Sequence, residues 1–595
     1  MKQFFKFVLA SVVGFFVAGL VLLVLIVGLI SALVASGGKD KAVDVNDNSI
    51  LNVSFKADIP ERTPNNPLSG FGFLGFNDSK SVGLNDILAG IKKAKTDDHI
   101  KALFLNDSYM LSGEATTEEI RNALIDFKKS GKPIIAYSEI YTQSFYYLAS
   151  VANKVYINPK GIFEFRGFSQ QITFFKGALD KLGIEAQVIK VGTYKSAVEP
   201  FILDKMSDAN RLQVNAYLGS LYNHFLTGIG SSRKINRDSL ASMVDQLKIQ
   251  YPEDALKYKL VDGVKYKDEV LDELKKLTGT NLKKAVKSVD LDDYARNSSK
   301  DDRDDDDDDS KKQIAIIYAS GEINSGEGDD NSIGSDRISA ALRKARLNDD
   351  VKAVVFRVNS PGGSSLASDV IWREVSLTKK VKPIIVSMGD YAASGGYYIS
   401  CAADSIFAQP NTITGSIGIF AILPNMQGFL HNKLGLNFDG VKTGKYADLG
   451  DVSRPLTPEE RAILQAEVNR GYDEFTKAVA NGRHKTQAYI NSIGQGRVWT
   501  GEQAIKIGLV DRLGNINDAI TSAAKKANLK DYDLVAYPQQ KNFLKNLNSG
   551  LMSEVKTKMV KSELGENYEY YQQLKSIQKM IRVPQARLPF MVDIK

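Results

Sequence analysis

Ser394 and Lys195 are the two side chains of this 595-residue chain whose settings suit covalent chemistry. Ser394 lies in Tyr391-Ala392-Ala393-Ser394-Gly395-Gly396, after a β-prone run and before an apolar helical stretch, Tyr397–Ala403. A serine at a strand-to-helix transition sits where unpaired backbone N–H groups collect. The glycines after it let a substrate carbonyl approach that backbone closely. Asn359-Ser360-Pro361-Gly362-Gly363 ends a second β-prone run, and its glycines can aim another N–H at the same point, forming an oxyanion hole. Each pattern alone also fits a helix cap or a turn. Their joint placement at successive strand ends is what points to acyl transfer.

A serine hydroxyl needs a base. The four histidines, His99, His224, His431 and His484, are scattered, and none sits at a repeated or glycine-framed position. Lys195 is the better candidate, in Val191-Gly192-Thr193-Tyr194-Lys195-Ser196-Ala197, among small and apolar neighbours. To take a proton at neutral pH a lysine must fall from ~10.4 to about 7, a loss of about 4–5 kcal/mol in ammonium solvation. Burial against another domain would supply that shift. The alternative is an ordinary solvated surface lysine, and the repeat structure of the chain argues against it.

The chain carries one module twice. Asn85–Ile100 reappears as Ser335–Val351, Lys132–Ile135 (KPII) recurs at Lys382–Ile385, Lys181–Ser196 lies over Lys433–Asp448, and Glu253–Asp262 matches Glu502–Asp511. An offset near 250 residues means a duplicated domain, not a short-period solenoid. Lys195 of the first copy becomes Ala447 in the second, while the glycine-framed serine of the second has no intact counterpart in the first. Ser144, which aligns with Ser394, stands between Gln143 and Phe145. One copy thus offers an amine and the other a hydroxyl.

The elements that must position these groups read as alternating strands and helices. Ile100–Leu105 is a strand candidate, followed by a helix at Thr117–Lys129 and a strand at Pro133–Tyr137; the second copy repeats the order at Val351–Val358, Ala367–Leu377 and Pro383–Met388. Strand–helix–strand at this spacing predicts βαβ units and a largely parallel sheet, an α/β fold. Composition is ordinary for a globular protein, with 43% hydrophobic and 25% charged residues. A net charge of +7 without a dense basic block gives no support to nucleic-acid binding. Cys401 is the single cysteine, in an apolar run, so no intramolecular disulfide exists and a buried inert thiol is expected. No metal-ligand spacing is present, and no metal or cofactor is expected.

The N-terminus bears on location. Lys2 and Lys6 precede Phe7–Ala35, which carries no charge. As a helix it would reach ~43 Å, longer than a ~30 Å hydrocarbon core and far longer than a cleavable signal's apolar region. A retained single-pass anchor with the N-terminus in the cytoplasm is expected, the catalytic domains lying outside the inner (plasma) membrane; the competing reading is a signal peptide cut near the small residues of Ala32-Leu33-Val34-Ala35. Between the copies, Lys300–Ser310 contains six consecutive aspartates, without the spaced ligands and turn glycine of a calcium loop, and reads as a solvated linker. The tail after Tyr537 is basic, with helix-like stretches at Phe543–Val560 and Tyr568–Ile581. The expected organisation is therefore an anchor over 1–40, a spacer over 41–80, a first repeat over 81–298, a linker over 299–312, a second repeat over 313–535 and a helical tail over 536–595.

Taken in order, Gly192–Phe201 (GTYKSAVEPF), Asn359–Ser364 (NSPGGS), Met388–Ser400 (MGDYAASGGYYIS), Thr414–Phe420 (TGSIGIF) and Gly496–Gly501 (GRVWTG) resemble the signal peptide peptidase A family, in its long, duplicated, membrane-anchored form. The resemblance covers nearly the whole chain from the anchor to about Gly514. It implies tandem crotonase/Clp-protease-like superhelical domains, Ser394 as nucleophile, Lys195 as general base and Ser416 as the hydroxyl that orients the lysine. The N–H of Gly395, with one from Gly362 or Gly363, would bind the oxyanion. It further implies signal peptides and other hydrophobic peptides as substrates, and assembly as a homotetramer into a bowl. Family members usually read Gly-Gly or similar before Ala-Ala-Ser, whereas this chain has Gly389-Asp390-Tyr391, a departure expected to touch substrate contacts. A crotonase-type acyl-CoA enzyme and a non-catalytic membrane scaffold are the competing readings. The first leaves the paired Ser and Lys unexplained, and the second leaves their retention unexplained.

Overall fold

The computed structural model describes residues 45–55, 57–64, 81–295, 312–540 and 584–588, together with Val560, Glu563 and scattered positions up to residue 28. Two sheets of matching strand order form its frame. In the first copy the order is Gly263–Val264, Lys154–Phe163, Ile134–Tyr141, Ile100–Asn106, Ser49–Val53 and Ser288–Asp290, every neighbouring pair parallel. In the second, Val498–Thr500, Ile413–Gly415, Ile384–Ala393, Val351–Ser360, Gln313–Ser320 and Asp533–Tyr537 follow one another, with Ser405–Ala408 also pairing beside Ile384–Ala393. Helices cover both faces, so central strands read as unbroken apolar runs such as Ala353-Val354-Val355-Phe356, all of them buried. The expected α/β architecture with a duplicated domain is what the chain adopts.

The boundaries differ from expectation most tellingly in the first copy. Ser49–Val53, inside the expected spacer, is an interior strand of the first sheet, flanked by Ile100–Asn106 and Ser288–Asp290. The first domain therefore begins near Ser49, not at residue 81. The helix expected at Thr117–Lys129 runs over Glu114–Phe127. It starts earlier because the Asp390 carboxylate of the second copy accepts hydrogen bonds from the Thr116 backbone N–H (2.8 Å) and hydroxyl (2.7 Å) in its first turn, the position of an N-terminal cap. Asp390 is thus a tie between copies.

Among the described residues no helix is long and apolar enough to cross a membrane. The expected anchor falls largely outside those residues; its described stretch, 10–21, is helical, with Phe15 and Phe16 exposed. The acidic linker also lies outside them, as do the expected tail helices apart from Val560.

A third sheet joins the copies. Its order is Ser332–Gly334, Glu322–Asn324, Gly362–Ser364, Gln585–Arg587, Phe420–Asn425 and Glu185–Lys190. The last pair is the junction: Glu185–Lys190 of the first copy runs antiparallel to Phe420–Asn425 of the second, from Lys190 opposite Phe420 to Glu185 opposite Asn425. Lys195 follows this strand by five residues, so the pairing carries it to the second copy's sheet.

A buried ion cluster seals the same contact. Arg357, on a central strand of the second copy, donates from Nε to Glu61 (2.8 Å) and places a second guanidinium nitrogen 2.7 Å from Glu119 on the first copy's helix. Its remaining terminal nitrogen donates to Ser387 Oγ at 2.9 Å. Two carboxylates share one cation here, and burial, followed by the Glu61 charge, pushes the Glu119 carboxyl up to about 7 against the pull of Arg357. Removing Arg357 would strand both carboxylates in a site closed to water. We expect Arg357→Ala to lower the unfolding free energy by about 3–5 kcal/mol in denaturant titration; a loss below about 1 kcal/mol would show that the cluster does not hold the copies together.

Candidate active site

Ser394 occupies the sharp turn between the strand Ile384–Ala393 and the helix Gly395–Ser400, at φ 53° and ψ −113°. A non-glycine residue with positive φ is held there only when its surroundings enforce it. They do so on both sides: the Ser394 N–H donates to Gly415 O (2.7 Å), and its own carbonyl accepts from Tyr398 N (2.8 Å). Gly396 lets the turn pass close to the neighbouring strand end, since a β-carbon there would lie 2.6 Å from Ser360 O.

Lys195 Nζ stands 2.9 Å from Ser394 Oγ, 3.1 Å from Ser416 Oγ and 3.2 Å from Ser416 O. All three side chains are fully buried. Burial alone holds the lysine pKa well below its ordinary value of 10.5. As a neutral amine, Lys195 has two N–H bonds and one lone pair. The two N–H groups suit the two Ser416 oxygens, which leaves the lone pair directed at the Ser394 hydroxyl. Ser416 is itself fixed, at φ 50°, by donation of its N–H to Arg497 O (2.7 Å).

The backbone carrying the lysine is clamped by the second copy. Tyr194 N donates to Gln495 O at 2.8 Å. Gly496 lies flat against Lys195, where a β-carbon would meet the Lys195 N at 2.6 Å, and Gly418 leaves room for the lysine stem, 3.2 Å from its own missing β-carbon. Gln213 links the two sides, donating to Ser196 Oγ (2.8 Å) and accepting from Val498 N (3.2 Å).

The glycine pairs converge on the same point. The Gly362 N–H is taken by Ser360 Oγ at 3.1 Å. The amide that faces Gly395 is that of Gly363, 3.2 Å from where a Gly395 β-carbon would stand. Of the two alternatives left by the sequence, Gly363 fits the second oxyanion donor, and Gly362 fits the role of leaving space, with φ 99° and its missing β-carbon 2.8 Å from Gly395 N. The arrangement can deprotonate a hydroxyl and stabilise the anion that forms on an attacked carbonyl.

The first copy does not repeat this geometry. Ser144 lies within the helix Gln143–Ala149 and has no left-handed turn, while Ala447 sits exposed in a turn. His484 is an exposed helix C-cap. Cys401 is buried, its Sγ 3.1 Å from Tyr398 O, and burial pushes the thiol up to about 12. No group of metal-ligating side chains occurs among the described residues. Sequence reasoning missed Gln213, Gly418 and Gly496 as framing residues; the last two lie inside motifs it had singled out, whereas nothing local marks Gln213. It also missed the strand Gln585–Arg587, which lies in the sheet beside Gly362–Ser364.

Residues 126–281 and 376–530 each match peptidase family S49. The chain is 38% identical over 471 residues to Protease 4 of Salmonella typhi, covering 78% of this chain and 75% of that protein. It is 36% identical over 529 residues to Protease 4 of Haemophilus influenzae, covering 86% and 85%. It is 32% identical over 519 residues to the chloroplastic serine protease SPPA of Arabidopsis thaliana, covering 86% and 74%. The duplicated match and the extent of these likenesses place the chain in peptidase family S49, as a serine peptidase.

Proposed function

We propose that Ser394 is the nucleophile and Lys195 the general base of an endopeptidase that degrades cleaved signal peptides in or at the membrane. The observation that carries the reading is the buried 2.9 Å contact between Lys195 Nζ and Ser394 Oγ, with no charged partner among the described residues to keep the lysine protonated. Ser416 orients the amine, and the amides of Gly363 and Gly395 receive the oxyanion. Each repeat is read as a crotonase/Clp-like superhelical domain, on the repeated strand–helix–strand turns and the edge sheet that joins them. The uncharged stretch Phe7–Ala35 after Lys2 and Lys6 supports a single-pass anchor with a cytoplasmic N-terminus and extracytoplasmic catalytic domains. Anchoring would hold the site beside lipid-embedded peptides and raise their effective concentration.

The repeat symmetry supports assembly into a ring, which we read as the homotetramer that the family resemblance implies. The pairing of Glu185–Lys190 with Phe420–Asn425 has a duplicate that is not formed among the described residues. The second copy's counterpart of Glu185–Lys190 lies near 437–442, where Phe438 is 60% and Val441 103% exposed. The first copy's counterpart of Phe420–Asn425 lies near 170–175, and it too has no strand partner among the described residues. Joining these two segments between neighbouring chains is a head-to-tail contact, the kind that closes into a ring. Val441→Asp would place a charge in that seam, and light scattering is expected to show a shift to smaller species. An unchanged assembly would remove this seam from the account.

The dyad is tested by mutation. Ser394→Ala, Lys195→Ala and the double variant should each lose peptide hydrolysis to the same extent, because the two groups act as one proton-transfer unit. Ser144→Ala should hydrolyse at the wild-type rate. Substantial hydrolysis by Lys195→Ala would reject the lysine as base.

A further inference from the structure

The strand Gln585–Arg587 enters the third sheet between Gly362–Ser364 and Phe420–Asn425, the slot against which the Ser394 turn opens. It runs antiparallel to the first of these, with Gly362 opposite Arg587, Gly363 opposite Ala586 and Ser364 opposite Gln585, and its other edge pairs Gln585 with Phe420. Backbone bonds continue beyond the strand: Leu588 N donates to Pro361 O at 2.8 Å, and Ser365 N donates to Pro584 O at 3.2 Å. Five consecutive residues of the tail are therefore laid out in extended form along the candidate site, the way a peptide adds a strand to a sheet edge.

The register places one carbonyl at the oxyanion position. Ala586 O is 3.0 Å from where a Gly395 β-carbon would stand, a point itself 3.2 Å from Gly363 N. It is 2.1 Å from the missing β-carbon of Gly362, which would lie 2.8 Å from Gly395 N. The Ala586 oxygen thus lies in the niche bounded by the Gly363 and Gly395 amides. The side chains on either side are accommodated as well. Ala586 is fully buried, Arg587 pairs with Glu322 at 2.7 Å, and Leu588 packs in an apolar cluster with Tyr217, Ala393, Ile413 and Val498.

We infer that residues 584–588 are bound as a substrate of the chain's own dyad, which cuts the Ala586–Arg587 bond; the inference rests on the nucleophile and base assigned above. In the first step Ser394 Oγ bonds to the Ala586 carbonyl carbon while its proton passes to Lys195 Nζ. The oxyanion that forms is held by the Gly363 and Gly395 amides. The C–N bond to Arg587 then breaks, Lys195 returns the proton to the departing amine, and the peptide beginning Arg587-Leu588 leaves. Water, deprotonated by Lys195, hydrolyses the Ala586 ester and leaves a carboxylate at Ala586 and a free Ser394 hydroxyl. The same register states a preference: a small residue on the acyl side of the cut and an aliphatic residue at the second position beyond it. While uncut, the tail occupies the place of any other peptide.

Intact-mass measurement of the purified full chain tests this directly, alongside hydrolysis of a short reporter peptide. Wild-type protein is expected to end at Ala586, and Ser394→Ala to retain Arg587 and the residues after it. Ala586→Arg, whose side chain the buried niche cannot take, is expected to keep its tail and still cut the reporter. A wild-type chain that cuts the reporter but keeps its tail would overturn the inference, as would cleavage after Ala586 in the Ser394→Ala protein. A reporter cut equally well by Ser394→Ala would instead sink the dyad assignment itself.

Discussion

Everything at this site depends on keeping one amine out of water. Lys195 is fully buried, and burial alone lowers its pKa, with no neighbouring cation or carboxylate needed to tune it. Desolvation penalises the ammonium and leaves the neutral amine, which is the form able to accept a proton from a hydroxyl. Neither copy can achieve this alone, because each presents its half of the site on a surface that the other must cover. The interface is therefore part of the candidate site, and its own buried charges, Arg357 with Glu61 and Glu119, tie the halves together.

The half-sites carried by the two copies are complementary. The first copy keeps the lysine on the segment after Glu185–Lys190, and the second keeps the left-handed serine turn with its framing glycines. The strand pairing across the copies converts a sequence separation of about 200 residues into a hydrogen bond between side chains. The same edge sheet leaves a slot between Gly362–Ser364 and Phe420–Asn425, and a peptide in that slot is read by backbone pairing first and by side-chain pockets second.

Much of this was visible in the residues themselves. The strand–helix–strand units followed from apolar runs and repeated letters, and the disagreement between copies at Lys195 and Ala447 singled out a lysine that is fully buried. What escaped was set by tertiary context. Ser49–Val53 is a short run beside Asn- and Asp-rich sequence, and it becomes a strand because two neighbouring strands offer it an open position. Gln585–Arg587 has no β pattern of its own; it is extended because it completes a slot. The Asp390 carboxylate also caps a helix of the other copy, a long-range contact that the motif around it does not announce. The choice between Gly362 and Gly363 turned on which amide Ser360 had already engaged, and no sequence pattern carries that.

The central claim is that Lys195 is neutral where an ordinary lysine is charged. Heteronuclear NMR of protein labelled at lysine Nζ and Cε, with the Lys195 resonance assigned by its absence from Lys195→Ala, measures this without reference to any substrate. The account expects that resonance to be that of a neutral amine at pH 8 and to titrate well below 10.5. A Lys195 signal that stays charged until it titrates with the surface lysines would contradict it.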